Sequence, residues 1–239
     1  MFFESTESLI KRFYKNENHP YRIYESKIHN ILKYSDTILD AGCGRTAPIL
    51  KKFLGKCTRL IGVDLEENEG DLGSIEYIKA DISAINEVPS ESVNIVISRA
   101  VLEHVENPDK VFKEINRIMA NGAKFIFLVP NFYDYGSLLS MIIPNKYHSK
   151  IVNKVEGRPI NDTFPAYYKV NTYSAVNRLC KKHGFEIISF EYLGQYPSYL
   201  MFNRILFLIG TLYDKAICKY NFLAFLRGWI LVVLIKCPR

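Results

Sequence analysis

No leader announces itself at the start of this chain. MFFESTES carries no basic region followed by a long apolar run, so the expectation is a protein without a signal peptide that works in the cytoplasm. Cysteine is sparse: Cys43, Cys57, Cys180, Cys218 and Cys237 are odd in number, scattered, and never at metal-ligand spacing. That pattern excludes a disulfide framework and a zinc site, and predicts reduced, mostly buried thiols with no metal ligands. There is no arginine-rich tract and no repeat of basic and aromatic residues, which sets DNA and RNA aside as partners. Nothing in the composition signals disorder, since 48% of residues are hydrophobic and the mean hydropathy is −0.03. The net charge of +6 reads first as solubility and second as attraction to a phosphorylated or membrane-surface acceptor.

With 239 residues the chain can bury a full α/β core, and it reads as a single domain over 1–239. The segment from Thr37 to Leu65, TILDAGCGRTAPILKKFLGKCTRLIGVDL, organises the rest. Ile38 and Leu39 form a short apolar strand that runs into Asp40-Ala41-Gly42-Cys43-Gly44, where two glycines permit a tight turn and close approach to a ligand. A helix is expected from Thr46 or Ala47, with Pro48 in its first turn and Gly55 past its end. Arg59 to Val63 is the next strand, and Asp64 stands at its tip.

In open parallel sheets ligands lie across the carboxyl ends of the strands, at the topological switch point. Gly42, Gly44 and Asp64 would share that crevice. A carboxylate there suits the two hydroxyls of a ribose, which implies a nucleoside-bearing cofactor. Gly42-x-Gly44-x-x-Ala47 also matches the dinucleotide fingerprint, so an NADP-dependent oxidoreductase is one alternative. Asp40 argues for the other, because a carboxylate in the turn repels a pyrophosphate and attracts a cationic amino-acid head. Nor do Tyr14-Lys15 or Tyr24-Lys27 supply the Tyr-x-x-x-Lys spacing of a hydride-transfer site.

At this point the chain resembles the class I S-adenosylmethionine-dependent methyltransferases, in particular the type 11 and quinone- or lipid-methyltransferase-like members. ILDAGCG is similar to their first motif, GVDL to the second, KADI to the third, and VNIVISRAVLEHVENP to the fourth, followed by the strand FIFLVPN; together these run from Ile38 to Asn131. Two positions depart from the pattern, Thr46 where a third glycine is frequent and Asn94 where an acid is frequent. The resemblance implies a Rossmann-like seven-stranded α/β sheet, mostly parallel with an antiparallel last strand, helices on both faces and a lid insertion. It implies S-adenosyl-L-methionine as cofactor, with Asp40, Ala41, Gly42, Cys43 and Gly44 at the amino-acid head. Asp64 and Leu65 would serve the ribose and one ring face, Asp81 and Ile82 the adenine, and Ser98 and Arg99 the reactive end.

The remaining chain is placed around that core. Residues 1–34 are expected to hold two cap helices, the second from about Pro20 with Tyr21, Tyr24, Ile28, Ile31 and Leu32 on one side. Core strands follow at 75–79, 93–97 and 124–129, with a helix starting at Asn107-Pro108-Asp109 and stopped by Gly122. The core is taken as 35–130. Residues 131–171 read as a lid carrying Tyr133, Tyr135, Lys146, Tyr147, His148, Arg158, Tyr167 and Tyr168. The segment 172–239 completes the core with a helix to His183, a strand from Phe185 and a last strand at Trp229 to Ile235. It also holds an apolar helical insertion at about 195–225. Tyr199 to Ile217 is more apolar than one buried face needs, so it reads as a membrane-interface or lipid-binding element, or else as a buried or self-associating helix.

For an acceptor hydroxyl a proton must leave as the new bond forms. His104, six residues after Ser98, is the expected base, with Tyr21 or Tyr24 as its partner and His148 in reserve. The resemblance points to O-methylation of a small-molecule, lipid-linked or glycan acceptor. A non-catalytic module that keeps the cofactor fold is the remaining alternative, and nothing in the sequence sets the oligomeric state.

Overall fold

The structure is a computed structural model that describes residues 5–142 and 165–238. Seven strands form one sheet: β1 (Thr37–Ala41), β2 (Arg59–Asp64), β3 (Ile75–Lys79), β4 (Val93–Arg99), β5 (Met119–Pro130), β6 (Phe185–Leu193) and β7 (Trp229–Lys236). Their order is β3-β2-β1-β4-β5-β7-β6. Pairings from β3 through β5 are parallel. The far end is antiparallel: the Cys237 amide, just past β7, donates to the Gly184 carbonyl just before β6 at 3.0 Å.

Strands rich in Val, Ile and Phe are suited to burial on both faces. Accordingly Ile38 and Leu39, Ile95 to Ile97, Phe125 to Val129 and Ile230 to Leu234 are all buried. Helix α3 (Pro108–Ile118) is capped by Asn107, whose side chain accepts from the Lys110 amide, and lays Val111, Phe112 and Ile115 into the core. The ring of Phe112 meets those of Phe125 and Phe185 edge to face at 5.8 and 5.9 Å. A later helix, Tyr173–His183, starts on the Thr172 cap and stops at Gly184 with φ +72°, as its sequence predicts. Asn94, where the resembled family tends to have an acid, accepts from the Thr37 amide at 2.9 Å and ties β4 to β1.

One expected element is replaced. The helix predicted from Thr46 is a run of turns ending in a 3-10 segment, Leu50–Phe53. Pro48 denies the residue before it the right-handed helical region, and Ala47 sits at φ +44°. Gly55 does close the segment, at φ +72°.

The chain divides into two interleaved compact units. One, comprising 24–129, 167–191 and 231–239, holds most of the sheet. The other comprises 1–23, 130–166 and 192–230. In this second unit, α1 (Thr6–Phe13) begins on the Ser5 cap, and the helix starting at Pro20 (α2, Pro20–Ile31) contributes its first turn. Helix α4 (Tyr135–Ile142) follows β5; counting Tyr173–His183 as α5, α6 is Arg204–Lys219. Asn203 caps α6 by accepting from the Ile205 and Leu206 amides. Phe207, Gly210, Thr211, Asp214 and Ile217 form its buried face. The Lys215 ammonium donates to the Phe13 carbonyl at 2.7 Å and fastens α6 to the end of α1. Lys146, Tyr147, His148 and Arg158 of the expected lid lie outside the described residues.

Candidate functional site

The first unit concentrates the predicted cofactor residues at the carboxyl ends of β1, β2, β3 and β4. Chain geometry at the first turn is fixed by hydrogen bonds. The Gly42 and Cys43 amides both donate to the Val63 carbonyl, at 2.8 and 3.1 Å, folding the loop over the neighbouring strand. Gly42 has φ +84°, and a Cβ built there would lie 2.3 Å from Val101 Cγ2. Gly44 also has a positive φ, +70°, but faces open space. Gly62 on β2 is needed for a different reason: a Cβ there would come within 2.8 Å of Cys43 Sγ.

Asp64 does two things. Its Oδ2 accepts from the Gly44 amide at 2.7 Å and its Oδ1 from the Glu66 amide at 3.1 Å. It thus holds the glycine loop in place, and each oxygen keeps a lone pair for a further donor. The Ala80 amide donates to the Asp64 carbonyl, which draws the end of β3 and Asp81 toward the same edge. Asp81 is exposed, with Oδ1 bonded to the Ser83 amide at 2.7 Å. Ile82 is buried while Leu65 is 59% exposed, so the two expected ring walls differ in character.

Asp40 is the anomaly. It is 0% exposed, and neither carboxylate oxygen has a hydrogen-bond partner among the described residues. Burial raises its pKa to about 7; Arg99 opposes the shift and Asp64 adds to it. Tyr24 is equally buried, and its phenol is pushed up first by burial and then by the Asp40 charge. Ser98 Oγ donates to the Ala41 carbonyl at 2.8 Å, and Arg99 lies 3.5 Å from Glu25, which also pairs with Lys52. Tyr24 therefore belongs with Asp40, Ser98 and Arg99, a grouping that was not expected of it. A buried carboxylate costs several kcal/mol unless it meets a cation, so an ammonium fits here and a pyrophosphate does not.

Past β4 the chain turns through Ala100, a non-glycine residue at φ +56°, a strain of order 1 kcal/mol that clusters at functional sites. A 3-10 turn, Leu102–His104, follows. His104 is about one-third exposed and its Nε2 lies 3.9 Å from Glu103. The turn is clamped from outside: the Tyr167 and Tyr168 amides both donate to the Glu103 carbonyl, at 2.7 and 3.2 Å, and Lys169 donates to the Glu106 carbonyl. No sequence signal marks that clamp, nor Glu25 or Val101 as neighbours of the site.

Tyr21 belongs to the second unit, where its ring lies edge-on to Trp229 at 5.4 Å and its amide donates to His19 Nδ1. That unit has a small cavity of about 50 Å³ of its own, with Tyr135, Tyr196, Tyr199, Tyr213 and Trp229 in its wall. Asp134 and Asp214 border it, both with pKa raised to about 6 chiefly by burial.

Comparison with known proteins agrees with this geometry. Residues 39–127 match the family described as "Methyltransferase domain". A sterol 4-C-methyltransferase of Caenorhabditis elegans is 28% identical over 49% of this chain and 36% of its own length. A 24-methylenesterol C-methyltransferase of Arabidopsis thaliana is 21% identical over 93% of this chain and 58% of its own. The chain thus spans only about a third to three-fifths of those relatives. Among solved structures, geranyl diphosphate C-methyltransferase from Streptomyces coelicolor shares the fold with a TM-score of 0.58 and 13% identity, over 90% of this chain and 78% of that one. An S-adenosylmethionine-dependent methyltransferase from Mesorhizobium loti does so with 0.54 and 18%, over 88% and 96%. Residues 39–127 thus match the methyltransferase domain family, and the sheet around them has the fold of S-adenosylmethionine-dependent methyltransferases.

Proposed function

We propose that this protein is an enzyme that passes a methyl group from S-adenosylmethionine to an oxygen of a small, apolar or lipid-linked acceptor. The observation that carries the reading is the buried Asp40 carboxylate at the carboxyl end of β1, which has no hydrogen-bond partner among the described residues. When bound, S-adenosylmethionine supplies an electrophilic methyl group on a cationic sulfur. Asp40 would hold its ammonium, with the Ala41 to Gly44 turn beside it; Asp64 would accept from the ribose hydroxyls. Asp81, through its second oxygen, would accept from the adenine amine, with Leu65 and Ile82 against the ring. Ser98 and Arg99 would border the reactive end. Their work is alignment and exclusion of water.

His104 would take the acceptor proton at one of its ring nitrogens. Tyr24 is better read as a neighbour of Asp40, since it is buried beside that carboxylate. His104→Gln is expected to lower kcat by about 100-fold or more while S-adenosylhomocysteine affinity stays within twofold. If affinity collapses and turnover per bound complex survives, His104 is structural. Asp64→Ala should do the reverse, weakening cofactor binding at least tenfold, because it removes both a ribose acceptor and the anchor of the Gly44 amide. Calorimetry scores both variants.

A second reading has one observation behind it: three of the four proteins named above are C-methyltransferases, two of sterols and one of geranyl diphosphate. Carbon as the accepting atom would need no proton taken from a hydroxyl. Reaction of cell extract with carbon-13 methyl-labelled cofactor, followed by NMR of the labelled product, separates a methoxy from a carbon-bound methyl. Calorimetry with S-adenosylhomocysteine beside NADP tests the reading beneath both, and binding of NADP alone would overturn it.

A further inference from the structure

Helix α6 presents two faces to two different surroundings. Phe207, Gly210, Thr211, Asp214 and Ile217 point into the second unit. On the other side Ile205, Ile209 and Leu212 are 70, 57 and 72% exposed, more than a packed helix leaves bare. At about 100° per residue these three fall within an arc of roughly 60°, with Leu206 and Tyr213 beside it. Beyond the helix, Phe222 is 75% exposed and Phe225 45% exposed, and Phe202 before it 65%. Single exposed apolar side chains need no explanation, but an exposed strip along one helix face, flanked in sequence by three exposed phenylalanines, marks a contact surface.

Charge selects the partner. By the same spacing Arg204, Lys215 and Lys219 line the edge of the arc opposite Leu206 and Tyr213, and both lysines are exposed. Between Tyr192 and Ile230 the only acid is Asp214, which is buried. An apolar strip bordered by bases, with phenylalanines at its end, is the layout of a helix lying in a membrane interface with its bases at anionic headgroups. Among the described residues no helix is long and apolar enough to cross a membrane. We propose that the exposed face of α6, with Phe202, Phe222 and Phe225, docks onto an anionic lipid surface. The attachment is peripheral, and it depends neither on the reaction nor on the cofactor.

Flotation of the full chain with vesicles of phosphatidylcholine alone, or with about a third phosphatidylglycerol, tests this. The protein should float with the anionic vesicles and at least tenfold less with neutral ones, and the retention should fall as salt rises. Ile209→Asp with Leu212→Asp should abolish it. Both side chains are mostly exposed, so circular dichroism and melting temperature should match the parent. Lys215→Gln would also break the bond to Phe13, so Lys219→Gln is the charge variant, expected to weaken retention several-fold. No retention on anionic vesicles, or retention unchanged by the double variant, overturns the proposal. So does a dimer by light scattering that the same double variant dissociates while the parent stays off vesicles; that face would then belong to a second copy.

Discussion

Asp40→Asn is expected to raise the melting temperature of the ligand-free protein at pH 8 while weakening S-adenosylhomocysteine binding by about 100-fold. Its folded pKa of about 7 stands well above the ordinary carboxylate value of 3.8, so between those values the folded state holds more protons than the unfolded one. Stability from this group is therefore full below about pH 4, declines as pH rises, and is lost once pH passes about 7. Three pKa units correspond to about 4 kcal/mol. The asparagine keeps a buried amide that returns about 1 to 2 kcal/mol of that. A gain of several degrees at pH 8 should remain, and it should vanish or reverse at pH 5, where the native carboxyl is neutral. The lost affinity is that of a charge-assisted hydrogen bond to the ligand's ammonium. Scanning calorimetry at both pH values checks it, and a variant that melts below the parent at pH 8 counts against a buried Asp40 carboxylate that destabilises the fold.

Gly42→Ala has the second large effect. The residue needs φ +84°, and its new methyl would meet Val101 at 2.3 Å. Left-handed strain and overpacking together are expected to cost about 3 kcal/mol, with a fall in melting temperature of about 6 to 12 °C. Gly44→Ala is the internal comparison. Its φ is similar, +70°, but nothing lies within 4 Å, so only strain of about 1 to 2 kcal/mol applies. Val101→Ala in the Gly42→Ala background should recover part of the loss, because it removes the atoms in collision. Equal losses at the two glycines would show that the Val101 contact is not what makes Gly42 necessary.

Some features of this site are local in the chain and others are not. The glycine turn, the acids at strand ends, the Asn107 and Thr172 caps and the Gly184 stop are set within a few residues, so their sequences announce them. That Asp40 has no hydrogen-bond partner among the described residues depends on strands far apart in the chain, and no local pattern reports it. The helix expected after Thr46 fails for a local reason that outweighs its caps, namely Pro48 acting on Ala47. The surplus of apolar residues in α6 is visible in the sequence, whereas the side left bare emerges only once Phe207 and Ile217 are buried. Tyr24 has the spacing of a helix face, but its place beside Asp40 follows from the sheet.

The direct test of the account is the affinity for S-adenosylhomocysteine measured by calorimetry from pH 5 to pH 7, where the ligand's amino group stays protonated. If the Asp40 carboxylate receives that group, affinity rises at least tenfold across the range as the carboxyl ionises, and Asp40→Asn flattens the profile. An unchanged affinity from pH 5 to pH 7, or the same rise in the Asn variant, would contradict it.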